Sequence, residues 1–387
     1  MPGRRLDGSR QSLGLAPQRS ERQLNDNRSL DGRCFTISLA KLAPKRFRLS
    51  LTADHSIMDA RSVSLVFRDL FNYYSGLHDS SDTGVDSTST EPWTFGRWTS
   101  WERQHIDRRG QALHSFWREK LAGIGPFPEI QIPTLGQARK SGVRPTVFTL
   151  TFSREAQASL NDLALTADSH PFAVVSLLIK TTVLAVRMAS EPQASYTVPA
   201  FGAFPNRLPR EVLESVGGFA NSAVIASQLH NRDTLMAAVK REAQEIFVAS
   251  CHQDLPHALI VKALQPELYG VRYWGSLDQI PRYFNLDMPS AQDAPFDAPT
   301  GLRLRIVSPV PEIPRSGLRA IAKRGANWSI EIRYDPQVYS ENVMGLLRTL
   351  WMYIVDSWLR NPESTLGAVV VAALRRSALE LPSHPAK

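Results

Sequence analysis

At 387 residues the chain is long for a single hydrophobic core, so two packed lobes are expected. Its 43% hydrophobic and 21% charged residues are those of an ordinary soluble globular protein, and two cysteines, Cys34 and Cys251, exclude a disulfide framework and point to a reducing cytoplasm. The net charge of +8 favours acidic partners, but no helix-turn-helix, zinc-finger or RNA-binding signature accompanies it, so neither nucleic acid nor membrane is expected as a partner.

Residues 1–28 carry several positive charges and little periodicity. They read as a flexible basic arm, without the apolar centre of a signal peptide. Alternation in CFTISLAKL (34–42) and FRLSLTA (47–53), joined by a Pro-Lys turn, predicts a hairpin. From Val63 the apolar residues Val63, Val66, Phe67, Leu70, Phe71 and Tyr74 recur at helical spacing, so one face of a helix is buried there. The polar run HDSSDTGVDSTSTEP (78–92) reads as a surface loop. Helical patterns return in TFGRWTSWERQ and ALHSFWREKLAG, which completes a first lobe over residues 29–125.

A Pro/Gly-rich linker is expected at 126–146 and a second lobe at 147–372. That lobe opens with strand TVFTLTF and helices over 154–168 and 171–189. The second helix, in PFAVVSLLIKTTVLAVRMAS, nears membrane-spanning length, but Lys180, Arg187 and two threonines within it favour a buried helix. Strand ASYTVPAF and a helix over 234–250 follow, then the alternating segments LRLRIVS, GLRAIAKR and NWSIEIRYD. An amphipathic helix from Glu341 to Leu359 closes the lobe, and 373–387 is a tail. Helices alternating with locally pairing strands predict α/β layers in each lobe.

The chemistry centres on DHSIMDA, where His55 stands four residues before Asp59 at the junction of a strand and an amphipathic helix. A base that acts on one atom needs packed support on both sides, and this junction supplies it. The second HxxxD, His78 and Asp82, lies in the serine-rich run and lacks that support. Asp59 reads either as the N-cap of the following helix or as an ionic partner that fixes the loop. No CxxC or HExxH cluster and no glycine-rich phosphate loop occurs.

These segments together resemble the condensation domains of nonribosomal peptide synthetases, within the chloramphenicol acetyltransferase-like superfamily. DHSIMDA is similar to the family's HHxxxDG. FGRWTSW, with Phe95, Trp98 and Trp101, looks like YxDYxxW with Arg97 in place of its aspartate. GGFANS (Gly217 to Ser222) is similar to GxFVNT, and HQDLPH (His252 to His257) to HQDxPF. RYFNLDMP and the segment from IEIRYD to the closing helix look like the family's later strands and final helix.

The resemblance implies a two-lobe α/β fold of the chloramphenicol acetyltransferase type with an incomplete amino-terminal lobe. It implies amide formation between carrier-tethered acyl and aminoacyl thioesters in secondary-metabolite biosynthesis. His55 would accept a proton or position the amine, and Asp59 would orient the loop. Asp54, Ala60, Ser62 and Asn221 are the substrate-tunnel candidates. His252 and Asp254 would brace a loop against the helix that follows, and Trp98 and Trp101 would be core. No cofactor is expected in the domain itself. Its substrates would arrive on phosphopantetheine arms of carrier proteins, and the partners would be carriers and other synthetase modules.

The chain departs from the family in three places. The family's opening strand and helix, with an RHxxLR motif, have no counterpart, so Asp59 is expected to lack its ion-pair partner and the first lobe to leave a sheet edge and apolar surface uncovered. Asp54 replaces the first histidine and Ala60 the glycine, which would narrow the entrance. DHSIMDARS also fits the DxxxxDxxS of heterocyclization domains through Asp54, Asp59 and Ser62, and FPNRLP (204–209) looks like their sequence. Heterocyclization, acyl transfer to a free alcohol or amine, and an inactive carrier-docking remnant therefore stand beside amide formation.

Overall fold

The computed structural model describes residues 34–78, 93–122, 124, 146–190, 194–264, 285–287, 318–324, 327–337 and 339–378. The proposed arm, most of the 78–92 loop, nearly all of the linker and LRLRIVS lie outside these residues. Strands β1 (Phe35–Ala43) and β2 (Arg46–Ala53) pair antiparallel as a two-stranded sheet, with Phe35 opposite Ala53 and Leu39 opposite Leu49. Period-two alternation puts Phe35, Ile37, Leu39 and Phe47 on one face. That face is open: these four residues are 53%, 50%, 68% and 55% exposed. Among the described residues this hairpin therefore presents apolar side chains to solvent.

Helix α1 (Ala60–His78) follows the hairpin, and α2 (Phe95–Lys120) comes next. The two helical patterns of the sequence merge into α2, a single helix that runs through Gly110. It is capped by Thr94, whose hydroxyl accepts the Arg97 N–H at 3.2 Å. A glycine inside a helix costs about 1 kcal/mol against alanine, too little to break one that buries Trp98, Leu113 and Trp117.

The larger layer is a six-stranded mixed sheet in the order β3-β8-β7-β6-β4-β5. Its strands are β3 (Thr146–Thr151), β4 (Ser195–Phe204), β5 (Asn221–His230), β6 (Asn285–Asp287), β7 (Leu318–Arg324) and β8 (Trp328–Tyr334). β6 runs parallel to β4 and β7, and the remaining pairs are antiparallel. Against the sheet pack α3 (Arg154–Thr166), α4 (Pro171–Ser190), α5 (Leu235–Cys251), α6 (His257–Leu264), α7 (Glu341–Arg360) and α8 (Leu366–Ala378). α4 is the buried helix its composition implied. No single helix among the described residues is long and apolar enough to cross a membrane.

Lys180 of α4 is fully buried because α5 and β5 supply it with partners. Its ammonium lies 2.9 Å from the Glu242 carboxylate and donates to Ser227 Oγ at 2.8 Å and to the Ile225 carbonyl at 3.1 Å. Burial pulls its pKa down, against the attraction of Glu242.

Two elements differ from the sequence reading. β5 escapes it because NSAVIASQLH has a continuous buried run, which periodicity does not separate from a core helix. α6 is the helix expected after HQDLPH. The expected tail begins inside α8, where Ala373 and Ser377 are buried, so the packed structure extends past 372.

Candidate functional site

β2 delivers the chain to Asp54, whose N–H donates to the Cys34 carbonyl at 3.0 Å across the mouth of the hairpin. The Asp54 carboxylate accepts the Ser56 hydroxyl at 2.5 Å and the Ser56 N–H at 2.8 Å. The chain turns there, and the Ile57 N–H closes onto the Asp54 carbonyl at 3.1 Å. The Ser56 hydroxyl, then the Ser56 N–H, hold the Asp54 carboxyl below the usual carboxylate range. His55 sits on this turn with its side chain exposed. The backbone of the turn is fixed while the imidazole stands at the surface.

Four residues on, the chain is anchored. Asp59, 3% exposed, is both things the sequence allowed. As N-cap of α1 it accepts the Ser62 N–H at 2.8 Å, and the Ser62 hydroxyl lies 2.8 Å from the same oxygen. As ionic partner it receives Arg207, whose Nη2 lies 2.9 Å and 3.1 Å from its two oxygens. The expectation that Asp59 has no ion-pair partner is overturned: Arg207, just after β4, is that partner. The Phe219 N–H adds a further donor to Asp59 at 3.2 Å.

Arg207 is itself buried and well supported. Its Nη1 donates to the carbonyls of Val212 at 2.7 Å and Ser215 at 2.6 Å, and Nη2 also reaches Ser62 Oγ at 2.9 Å. The guanidinium stacks 4.2 Å from the Phe219 ring centre. Burial lowers its pKa and Asp59 opposes that shift; an arginine remains charged in this setting. Phe219 in turn meets Phe95 and Trp98 edge-on, with ring centres 5.3 Å and 4.8 Å apart. Trp98 is core, as expected, and Trp101 stacks on His105 at 4.7 Å.

The glycines of GGFANS let the loop after Arg207 reach the histidine turn. The Asp59 N–H donates to the Gly217 carbonyl at 3.0 Å, and the Gly217 N–H to Ser62 Oγ at 2.9 Å. A Cβ on Gly218 would lie 2.3 Å from the Ser56 carbonyl oxygen and 3.1 Å from that of His55. The turn carrying His55 thus rests directly on Gly218, a close approach only glycine allows.

The other tunnel candidates divide. Asp54 and Ala60 are exposed near His55, so both are accessible. Ser62 is fully buried and engaged with Asp59, Arg207 and Gly217, so it braces the loop and faces no passage. Asn221 has both amide donors engaged: Nδ2 donates to the carbonyls of Gln253 and Leu255, each at 2.6 Å, and Oδ1 accepts the His257 N–H at 2.9 Å. Its side chain holds HQDLPH in place.

His252 and Asp254 brace α2, which precedes them, and not the helix that follows. Asp254 accepts from His105 Nε2 at 2.6 Å and from Arg109 at 3.2 Å. The His252 ring stacks on Phe116 and its carbonyl accepts the Trp117 indole N–H at 3.2 Å. Among the described residues no group of three or more His, Cys, Asp and Glu is placed to hold a metal ion.

Sequence reading missed Arg207 as a functional residue. The signal was present in FPNRLP, a lone arginine between two prolines at the end of a strand, but its partner lies 148 positions away.

A family model described as "Condensation domain" matches residues 18–376, starting inside the stretch expected to be a free arm. Among curated proteins, phosphinothricin tripeptide synthetase PhsC of Streptomyces viridochromogenes is 26% identical over 224 residues, which is 57% of this chain and 19% of that protein. Chondramide synthase cmdD of Chondromyces crocatus is 23% identical over 245 residues, 61% of this chain and 6% of that protein. The chain thus spans a fifth or less of these relatives. Among solved structures, the X-domain from teicoplanin biosynthesis aligns with a TM-score of 0.66 at 19% identity, covering 86% of this chain and 74% of that one. The first condensation domain of the calcium-dependent antibiotic synthetase, in complex with a substrate analogue, aligns with a TM-score of 0.64 at 16% identity, covering 86% and 71%.

Proposed function

Since the chain belongs to the condensation-domain family of the peptide synthetases, we propose that it joins two carrier-tethered groups through an amide bond, with His55 handling the proton. The amine of a downstream aminoacyl thioester attacks the carbonyl of an upstream acyl thioester. The C–N bond forms, the C–S bond breaks, and the thiolate departs on its phosphopantetheine arm. An ammonium has no lone pair for this attack, so a group must accept a proton from the amine and return one to the thiolate. Imidazole titrates near neutrality and does both.

The observation that carries this reading is the brace from Asp59 to Arg207 and Ser62. It fixes the turn under His55 while the ring stays exposed. Asp54 and Ala60, exposed on either side of that turn, are proposed as residues the arms contact. Carrier proteins and neighbouring synthetase modules are the proposed partners, and the positive net charge of the chain favours docking of acidic carriers. The burial of Asp59 speaks against the heterocyclization alternative, in which both aspartates of DxxxxDxxS would act, because Asp59 is saturated by Arg207, Ser62 and Phe219.

The test is reconstitution with an acyl-loaded upstream carrier and an aminoacyl-loaded downstream carrier. His55→Ala lowers amide formation by about 10²- to 10⁴-fold, with the urea midpoint unmoved because the side chain is exposed. Wild-type rates in His55→Ala would refute the assignment. A thiazoline formed from a cysteinyl carrier and lost in Asp54→Ala would favour heterocyclization.

A second reading has one observation behind it, the exposure of His55. Another structure of the teicoplanin X-domain, a complex with OxyB, aligns with a TM-score of 0.62, and by likeness this chain would be a docking module. That reading requires carrier or partner binding unchanged by His55→Ala and no amide product from any pair of loaded carriers.

A further inference from the structure

Arg207 reaches Asp59 because the chain turns sharply just before it. Asn206, immediately after β4 and buried, has φ of +47°, a left-handed conformation that non-glycine residues other than Asn and Asp seldom adopt. Its N–H, removed from water at this turn, donates to the side-chain Oε1 of Gln253 at 2.8 Å.

Gln253 is buried and held from its other end. Its Nε2 donates to the Ser250 carbonyl at 2.8 Å, and its own carbonyl accepts Asn221 Nδ2 at 2.6 Å. The side-chain amide is therefore held at both of its ends, with its acceptor aimed at the Asn206 amide.

We propose that Gln253 and Asn206 are positioning residues for His55, acting through Arg207. This rests on the reading of His55 as the group that handles the proton. Gln253 fixes the left-handed turn at Asn206. The turn points Arg207 at Asp59, and Asp59 with Gly217 holds the start of α1 and so the turn that carries His55. The family segment HQDLPH thereby has a task beyond bracing α2: Asp254 ties down the helix, and Gln253, one residue earlier, sets the aim of the arginine.

The test uses Gln253→Met, which keeps the side-chain shape and removes the acceptor. Hydrogen exchange is measured on peptides covering 54–62, with β8 and α7 as internal references. Exchange in 54–62 is expected to rise about tenfold, a factor equivalent to 1.4 kcal/mol, while the references are unchanged. In an Arg207→Met background the same substitution adds nothing in 54–62, because the linkage is already cut. Asn206→Gly, which adopts the same φ without strain, preserves the protection, and Asn206→Val does not.

With acetyl-loaded and glycyl-loaded carriers as probes, Gln253→Met is expected to lower kcat at unchanged KM. A uniform rise in exchange across 54–62, β8 and α7, or none at all, overturns the proposal. An equal effect of Gln253→Met with and without Arg207 also overturns it. Should Gln253→Met fail to fold, Asn206→Val against Asn206→Gly gives the same decision. His55→Ala is run beside these variants. If it retains full amide formation, the function assigned to His55 falls, while the exchange result still decides whether Gln253 orders the loop.

Discussion

Replacing Arg207 with methionine leaves the Asp59 carboxylate buried with its charge unmatched. It also strips the Val212 and Ser215 carbonyls of donors at 2.7 Å and 2.6 Å. Removing one member of a buried ion pair costs about 3–5 kcal/mol, most of it the penalty of the charge left behind. At about 2–4 °C per kcal/mol for larger domains, the melting midpoint falls by roughly 6–20 °C. Asp59→Asn keeps an oxygen for the Ser62 N–H but abandons the guanidinium, so it costs a comparable amount. The double variant leaves neither charge and is expected to lose less than the sum of the single losses, by about 2–3 kcal/mol. Urea unfolding of the four proteins closes this cycle. Strict additivity would mean that the two side chains do not share the energy assigned to them, and the brace under His55 would lose its physical basis.

Gly218→Ala forces a methyl group to 2.3 Å from the Ser56 carbonyl oxygen. It is expected to cost about 1–3 kcal/mol and to reduce amide formation more than stability alone accounts for. Its counterpart Gly345→Ala, on an open stretch of α7 with nothing within 4 Å of the new Cβ, is expected to stabilise by about 0.5–1 kcal/mol in the same denaturation assay. Burial holds the His257 pKa below its ordinary value, so as pH falls the unfolded chain takes up this proton first. The contribution of His257 to stability is then present above about pH 6.5 and lost as pH falls toward the folded value, at no more than about 1.4 kcal/mol per pH unit. His257→Phe should flatten that part of the stability profile, and an unchanged slope would show that other groups produce it. Lys180→Met strands Glu242 in the buried core and should cost about 3–5 kcal/mol by urea unfolding. Lys180→Met combined with Glu242→Gln should recover part of that loss.

Much of the architecture is written in short-range periodicity. The alternation of 34–53 yields a hairpin and the spacing from Val63 a helix, because period 2 and period 3.6 each place one face against a core. The apolar run at 171–190 is a buried helix for the reason its composition suggests. HxxxD identified the turn of His55 and the cap of Asp59, since both are made by residues within four positions of each other. The segments failed where the cues were faint or the outcome depended on distant chain. β5 has a continuous apolar run, and α8 continues through a stretch that reads as a tail.

The site divides the same way. Local order decided that a His–Asp pair, its aspartate a cap or an ionic partner, stands between a strand and a helix. Tertiary contact alone decided that Arg207 neutralises Asp59, that Ser62 and Asn221 are tied by hydrogen bonds to distant segments, and that the His55 ring lies at the surface. A hydrogen bond or an ion pair in a dry interior depends on what every neighbouring segment does with its charge and its water, and that is a property of the packed chain and not of any window along it.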